Sequence, residues 1–140
     1  MKRAKLLQRM IDTGVICVIR ADNDPEAIKI ADAVIAGDVT GIELTYSVPR
    51  ADAVIAQLVD KYAGTNVLIG AGTVLDATSA RLAIIAGANF IVSPAFDKEV
   101  ALMCNLYQVP YVPGTYTITE VQTALKYGSE MVKLFPGELA

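Results

Sequence analysis

The sequence predicts an α/β fold, a (βα)8 barrel of the TIM type of which about six βα units lie within these 140 residues. Three observations carry that prediction. Short strand-like runs recur with centres at Val18, Glu43, Ile69, Val92, Val112 and Lys133, giving steps of 25, 26, 23, 20 and 21 residues. Each step holds one strand and one crossover helix, as parallel βα units require. The runs are apolar on both sides instead of alternating, as expected for strands covered on both faces. Finally, Glu43 stands between Ile42 and Leu44, and Lys133 between Val132 and Leu134. In an open helix-covered sheet, a mid-strand charge would meet apolar helix, whereas in a barrel it can point inward towards the C-terminal mouth.

In chain order, a leading helix over about Arg3 to Thr13 precedes strands at Ile16–Arg20, Gly41–Tyr46, Val67–Gly72, Phe90–Pro94, Pro110–Gly114 and Met131–Pro136. Helix starts are marked by Asn23-Asp24-Pro25-Glu26, by Asp76 before an Ala-rich run, and by Thr117 with Glu120 three residues on, a capping box. Gly37, Gly64, Gly87 and Gly128 stand where helices should stop. The hexapeptide Ala-Asp-Ala-Val-Ile-Ala occurs at 31–36 and again at 51–56. We read it as two Ala-rich helix faces packing on one sheet, not as a duplicated unit. The whole chain is expected to be one partial barrel domain, residues 1–140, with strands seven and eight absent. The last strand would then lie uncovered, so the chain is expected either to continue or to associate.

Composition excludes several function classes. With 54% hydrophobic and 19% charged residues, the chain can bury a core without disulfides or structural zinc. Cys17 and Cys104 read as small buried hydrophobes in a reducing compartment, which points to the cytoplasm. Twelve basic against 15 acidic residues provide no electrostatic footprint for nucleic acid. Gln8, Arg9 and Asp12 interrupt the apolar stretch a signal peptide would need, and no run suits a membrane span. Histidine is absent, so no imidazole base, His-ligated metal or His-dependent nucleophile can be built from these residues.

Lys133 is the sharpest chemical signal. An amine attacks a carbonyl only as the free base, and about 4 in 10,000 ordinary lysines are neutral at pH 7. An apolar strand is a place where burial favours that form. The competing reading is a lysine reaching out to water from a strand end. Glu43 would be the matching base, or else a structural ion-pair partner of Lys133. Gly70-Ala71-Gly72-Thr73 closes the third strand, either letting a ligand approach the backbone with Thr73 binding a carboxylate, or simply turning into the next helix. It lacks the third glycine of a dinucleotide fingerprint. Arg20 ends the first strand and is read either as an anion ligand or as a solvated loop residue. Asp22, Asp24, Asp76 and Asp97 are placed as helix caps, not as a magnesium site.

In order, Val15-Ile16-Cys17-Val18-Ile19-Arg20, Gly41-Ile42-Glu43-Leu44-Thr45, Gly70-Ala71-Gly72-Thr73-Val74, Phe90-Ile91-Val92-Ser93-Pro94, Pro113-Gly114 and Val132-Lys133-Leu134-Phe135-Pro136-Gly137-Glu138 closely resemble the KDPG/KHG aldolases. These are 2-dehydro-3-deoxy-phosphogluconate and 4-hydroxy-2-oxoglutarate aldolases, class I lyases built as trimeric (βα)8 barrels. The resemblance implies Lys133 as the Schiff-base lysine and Glu43 as the general acid/base. It implies Thr73 on the pyruvyl carboxylate and Arg20 on the anionic substrate, with Gly72, Pro94 and Ser47 also substrate-binding. Many members have an arginine where Ser47 stands. No cofactor or metal is implied. The expected partners are a small 2-keto acid (phospho)sugar and, in a homotrimer, two further copies, with no nucleic acid and no membrane. Because the family's phosphate-binding glycine segments follow strands seven and eight, these residues alone are expected to be inactive or nearly so. The alternatives are a non-catalytic assembly module and another phosphosugar barrel enzyme.

Overall fold

A computed structural model describes residues 1–139. Six strands, β1 (Ile16–Ile19), β2 (Gly41–Thr45), β3 (Leu68–Gly72), β4 (Ile91–Ser93), β5 (Tyr111–Thr115) and β6 (Lys133–Leu134), form one parallel sheet in the order 1-2-3-4-5-6. That order decides the architecture, because a doubly wound sheet must reverse direction at a switch point and this one never does. The expected barrel-type half sheet is therefore present. Five helices fill the connections: α2 (Asp24–Ala36), α3 (Ala51–Lys61), α4 (Ala77–Ile85), α5 (Lys98–Tyr107) and α6 (Ile118–Lys126), with α1 (Lys2–Thr13) ahead of β1. A 3-10 turn, Gly137–Leu139, follows β6.

The period of two along each strand sorts side chains into two apolar clusters. The larger lies between sheet and helices and takes Ile19, Ile42, Leu44, Ile69, Ala71, Ile91 and Tyr111 together with Ala27, Ala31, Val54, Ile55 and Leu58 of α2 and α3. Each fully buried Ile, Leu or Val among them contributes about 1.5–3 kcal/mol. The smaller cluster lies on the concave face, where Leu68, Phe90 and Val92 meet Leu6 and Met10 of α1, with Ile16, Val112 and Met131 against them. In α1 the buried residues Arg3, Leu6 and Met10 are spaced three and four apart, so one helical stripe faces this cluster. The repeated hexapeptide behaves as expected of packing faces. Its first residue, Ala31 or Ala51, is buried in both helices.

Caps explain most helix starts. Asn23, Asp76 and Asp97 accept hydrogen bonds from the backbone N–H groups of Glu26 (3.0 Å), Ser79 (2.7 Å) and Val100 (2.8 Å). Thr117 and Glu120 form a reciprocal capping box. Two of the four expected aspartate caps are corrected. Asp24 sits in the first turn of α2 and pairs with Arg50, while the backbone N–H of Asp22 donates to the Glu26 carboxylate. Gly37 keeps φ at −88°, and the left-handed turn after α2 falls on Asp38 at φ 67°. The larger difference is the length of β6, two residues where Met131–Pro136 was expected; among the described residues it pairs with β5 alone and leaves Val132 and Leu134 exposed, the uncovered last strand that was expected. Among the described residues, no helix is long and apolar enough to cross a membrane.

Candidate active site

Register places the two key ionisable groups on one face. Ile42 and Leu44 point to the helices, so Glu43 between them points to the concave side. Lys133 pairs with Gly114, two residues beyond Val112, which belongs to the concave cluster. Both groups therefore enter the same hollow, from the second and the sixth strand.

Glu43 is buried at 5% exposure. Burial pushes its carboxyl above the ordinary carboxylate range, and the charges of Lys133 and Arg20 only partly offset that push. Desolvation therefore outweighs attraction. Among the described residues, the ion pairs are Arg3–Glu130, Arg50–Asp24 and Lys61–Asp32, so Glu43 and Lys133 act on one another through space and not by contact. Lys133 is half-buried, and its Nζ lies 4.8 Å from the centre of the Phe135 ring. Among the described residues β6 has a strand neighbour on one side, and Lys133 is half-buried there.

Gly72 has a packing role besides the one read from the sequence. A Cβ there would overlap the Glu43 side chain, so the missing side chain makes room for the carboxyl. Gly70, one layer below, is similarly filled by the Phe90 ring. Thr73 follows directly, half-buried at φ 55°, a left-handed conformation uncommon for a β-branched residue and characteristic of functional turns. Pro94 is half-buried and its carbonyl lies against Gly114, so the ends of β4 and β5 are in close contact.

Arg20 is exposed just beyond β1 and lines, with Ala21, Asp22, Glu26 and Ser47, an open cleft of about 370 Å³. Its charge also reaches the Glu43 carboxyl, so the cleft and the hollow are electrostatically joined. The structure thus gathers Glu43, Lys133, Arg20 and Gly72 around one region, with Ser47 at its side.

Three features escaped sequence reasoning. Thr45, fully buried, donates to the Ile19 carbonyl at 3.2 Å and lies 2.6 Å from Ser47 Oγ. Tyr111 donates to Ser93 at 3.1 Å, and Ser93 donates to the Val74 carbonyl at 2.6 Å, tying the ends of β3, β4 and β5 together. Arg3 binds Glu130 at 2.6 Å, Asn105 at 2.5 Å and the Gly128 carbonyl, clamping α1 to α5 and to the segment entering β6. Thr45 lies two residues beyond Glu43 on the same strand face, a signal that could have been read. Arg3 gave none beyond a basic N-terminus.

Comparison with known proteins decides the family. The family model for KDPG and KHG aldolase matches residues 6–140. The chain belongs to the KDPG and KHG aldolase family. Among its relatives, 2-dehydro-3-deoxy-phosphogluconate aldolase of Treponema pallidum is 39% identical over 125 residues, covering 89% of this chain and 59% of that protein. The enzyme of the same name from Pseudomonas aeruginosa is 31% identical over 139 residues, covering 99% and 62%. KDPG aldolase from Legionella pneumophila, solved with pyruvate captured as a covalent carbinolamine, superposes with a TM-score of 0.77 at 28% identity. That superposition covers 89% of this chain and 58% of the other. This aldolase-family chain thus spans about three fifths of the length of the curated relatives it matches.

Proposed function

We propose that this chain carries the Schiff-base machinery of a class I aldolase that cleaves 2-keto-3-deoxy-6-phosphogluconate, and also 4-hydroxy-2-oxoglutarate, releasing pyruvate. The observation that carries the reading is Glu43, a buried carboxyl on the concave face that feels the charges of Lys133 and Arg20 without forming an ion pair. The covalent carbinolamine in the Legionella relative supports the same chemistry.

In this reading, Lys133 Nζ adds to the C2 carbonyl and water is lost, giving an iminium. The electron pair of the C3–C4 bond flows into that iminium as the C4 hydroxyl gives its proton to Glu43, directly or through water, and the aldehyde departs. Glyceraldehyde 3-phosphate is the product from the phosphorylated sugar acid, and glyoxylate from the dicarboxylic acid. Glu43 returns the proton to C3 of the enamine, and hydrolysis frees pyruvate and the amine. A carboxyl raised towards neutrality suits both directions of this transfer. Thr73 holds the carboxylate of the pyruvyl unit, beside Gly72 and Pro94, and Arg20 faces the distal part of the substrate.

The same reading includes a homotrimer and a cytoplasmic location. Support for association comes from Leu82 and Ile85 of α4 and Leu102 and Leu106 of α5, all exposed on two helices that pack together. Cys17 and Cys104 are both free thiols, as a reducing compartment would keep them.

The test is to incubate the protein with pyruvate and borohydride and map the adduct by peptide mass. A reduced pyruvyl group on Lys133 is expected. Its absence, or its appearance on another lysine, overturns the assignment.

A further inference from the structure

Thr73 keeps a left-handed backbone at φ 55°, which a β-branched residue adopts only where its surroundings hold it there. The neighbouring strands hold it from both sides. The Gly72 carbonyl accepts from the Tyr46 N–H at 2.8 Å, and the Val74 N–H donates to the Val92 carbonyl at 3.1 Å. The third tie comes from a side chain, since Ser93 Oγ donates to the Val74 carbonyl at 2.6 Å.

That serine is itself held from behind. Ser93 and Tyr111 are both buried, and Tyr111 packs in the larger cluster, on the opposite side of the sheet from Glu43. A carbonyl cannot donate, so Ser93 gives its hydrogen to Val74 and accepts the Tyr111 hydroxyl at 3.1 Å. The Ala95 carbonyl, the other acceptor near Tyr111, is more distant at 3.5 Å. The Tyr111 oxygen in turn accepts the Asp97 N–H at 3.1 Å. A one-way chain therefore runs from the start of α5 through Tyr111 and Ser93 to the carbonyl that follows Thr73. Burial raises the Tyr111 hydroxyl above its ordinary value of 10.0, so it keeps the hydrogen it donates. Packing alone would be satisfied by a phenylalanine ring, whereas the hydroxyl orients Ser93.

Resting on the aldolase reading, in which Thr73 holds the pyruvyl carboxylate, we infer that Tyr111 is a positioning residue. Acting through Ser93, it fixes the backbone of the Thr73 turn and so sets the strength of the grip on the substrate carboxylate.

The experiment quantifies borohydride-trapped adduct on the Lys133 peptide against concentration for two ketones: pyruvate, and acetone, which lacks the carboxylate. In Tyr111→Phe the half-saturating concentration of pyruvate should rise roughly three- to tenfold, as the weakening of one hydrogen bond provides, with trapping at saturation unchanged. The acetone curve should not move. Thr73→Ala should weaken pyruvate trapping in the same way, and adding Tyr111→Phe to it should have no further effect, because both changes act on one contact. If Tyr111→Phe does not fold, Ser93→Ala breaks the same chain and is read by the same comparisons. Equal weakening of both ketones, no change for pyruvate, or effects that multiply in the double variant overturn the assignment of Tyr111. Failure of the unsubstituted protein to trap pyruvate on Lys133 overturns the aldolase reading, and this inference with it.

Discussion

Gly72 and Glu43 are complementary: the space a side chain would occupy on the third strand is filled by the carboxyl of the second. Any Cβ at position 72 must therefore expel the group on which the proposed proton transfers depend. Gly72→Ala is expected to destabilise the fold by about 1–3 kcal/mol, as overpacking does. Pairing it with Glu43→Ala should recover most of that loss, because the two changes share one volume. Urea denaturation of the four proteins in the cycle measures the coupling, and additive losses would show that the overlap relaxes at no cost.

Glu43 also gives a pH signature. Burial raises its carboxyl above the ordinary value of 4.5, so the native state holds the proton more tightly than the unfolded chain does. The sign follows from linkage: this group favours the fold most at low pH and loses that advantage as pH rises through its native titration. Glu43→Gln should therefore melt at a higher temperature than the parent at pH 7, with the gap closing below about pH 4.5. Turnover should fall by about 10²–10⁴-fold, the usual contribution of a general acid/base. Iminium trapping should persist in part. A melting difference that does not vary with pH would remove the buried charge as its cause.

Asp32 works in the opposite direction. The Lys61 ammonium and the Tyr62 hydroxyl, each 2.6 Å away, hold its carboxyl below 3.8, while the same bond pushes the Tyr62 hydroxyl up to about 12. Its contribution is present above the unfolded carboxyl value and is lost as pH falls through the native one. Because the pair is partly solvated, Asp32→Asn should cost less than about 1 kcal/mol at pH 7 and nothing in acid. Thermal melts at several pH values distinguish this from a pH-independent packing effect.

Arg3 supports β6 from a distance. β6 has a ladder of two residues, and the segment entering it is held by the bonds of Arg3 to Glu130 and to the Gly128 carbonyl. Removing a largely buried, multiply bonded guanidinium by Arg3→Met should cost about 2–3 kcal/mol in urea denaturation. Arg3→Lys should recover little, since an ammonium cannot span the same carboxylate and carbonyl acceptors in one plane. Full recovery by lysine would reduce the clamp to simple charge attraction.

The proposed trimer makes its own prediction. Leu106, exposed on α5 beside Leu102, should lose its favourable burial on substitution by glutamate, so Leu106→Glu is expected to sediment as a smaller species than the parent. Identical sedimentation coefficients would show that this ridge is not an interface.

The fold was legible in the chain because strand and helix signals are local: apolar runs at regular steps, and caps such as Asn23, Asp76, Asp97 and Thr117 next to the helices they start. Parity also placed Glu43 and Lys133 on one face, since a strand alternates whatever surrounds it. Through-space relations were not legible. Only the assembled sheet decided that Gly72 makes room for Glu43, that desolvation outweighs two positive charges at that carboxyl, and that Arg3 reaches Glu130 across 127 positions of sequence. It also decided that β6 is only two residues long and that the Thr45 and Ser47 hydroxyls lie 2.6 Å apart. Composition and periodicity reach only as far as neighbours along the backbone, whereas volume, dielectric and hydrogen-bond direction depend on which distant atoms are brought into contact.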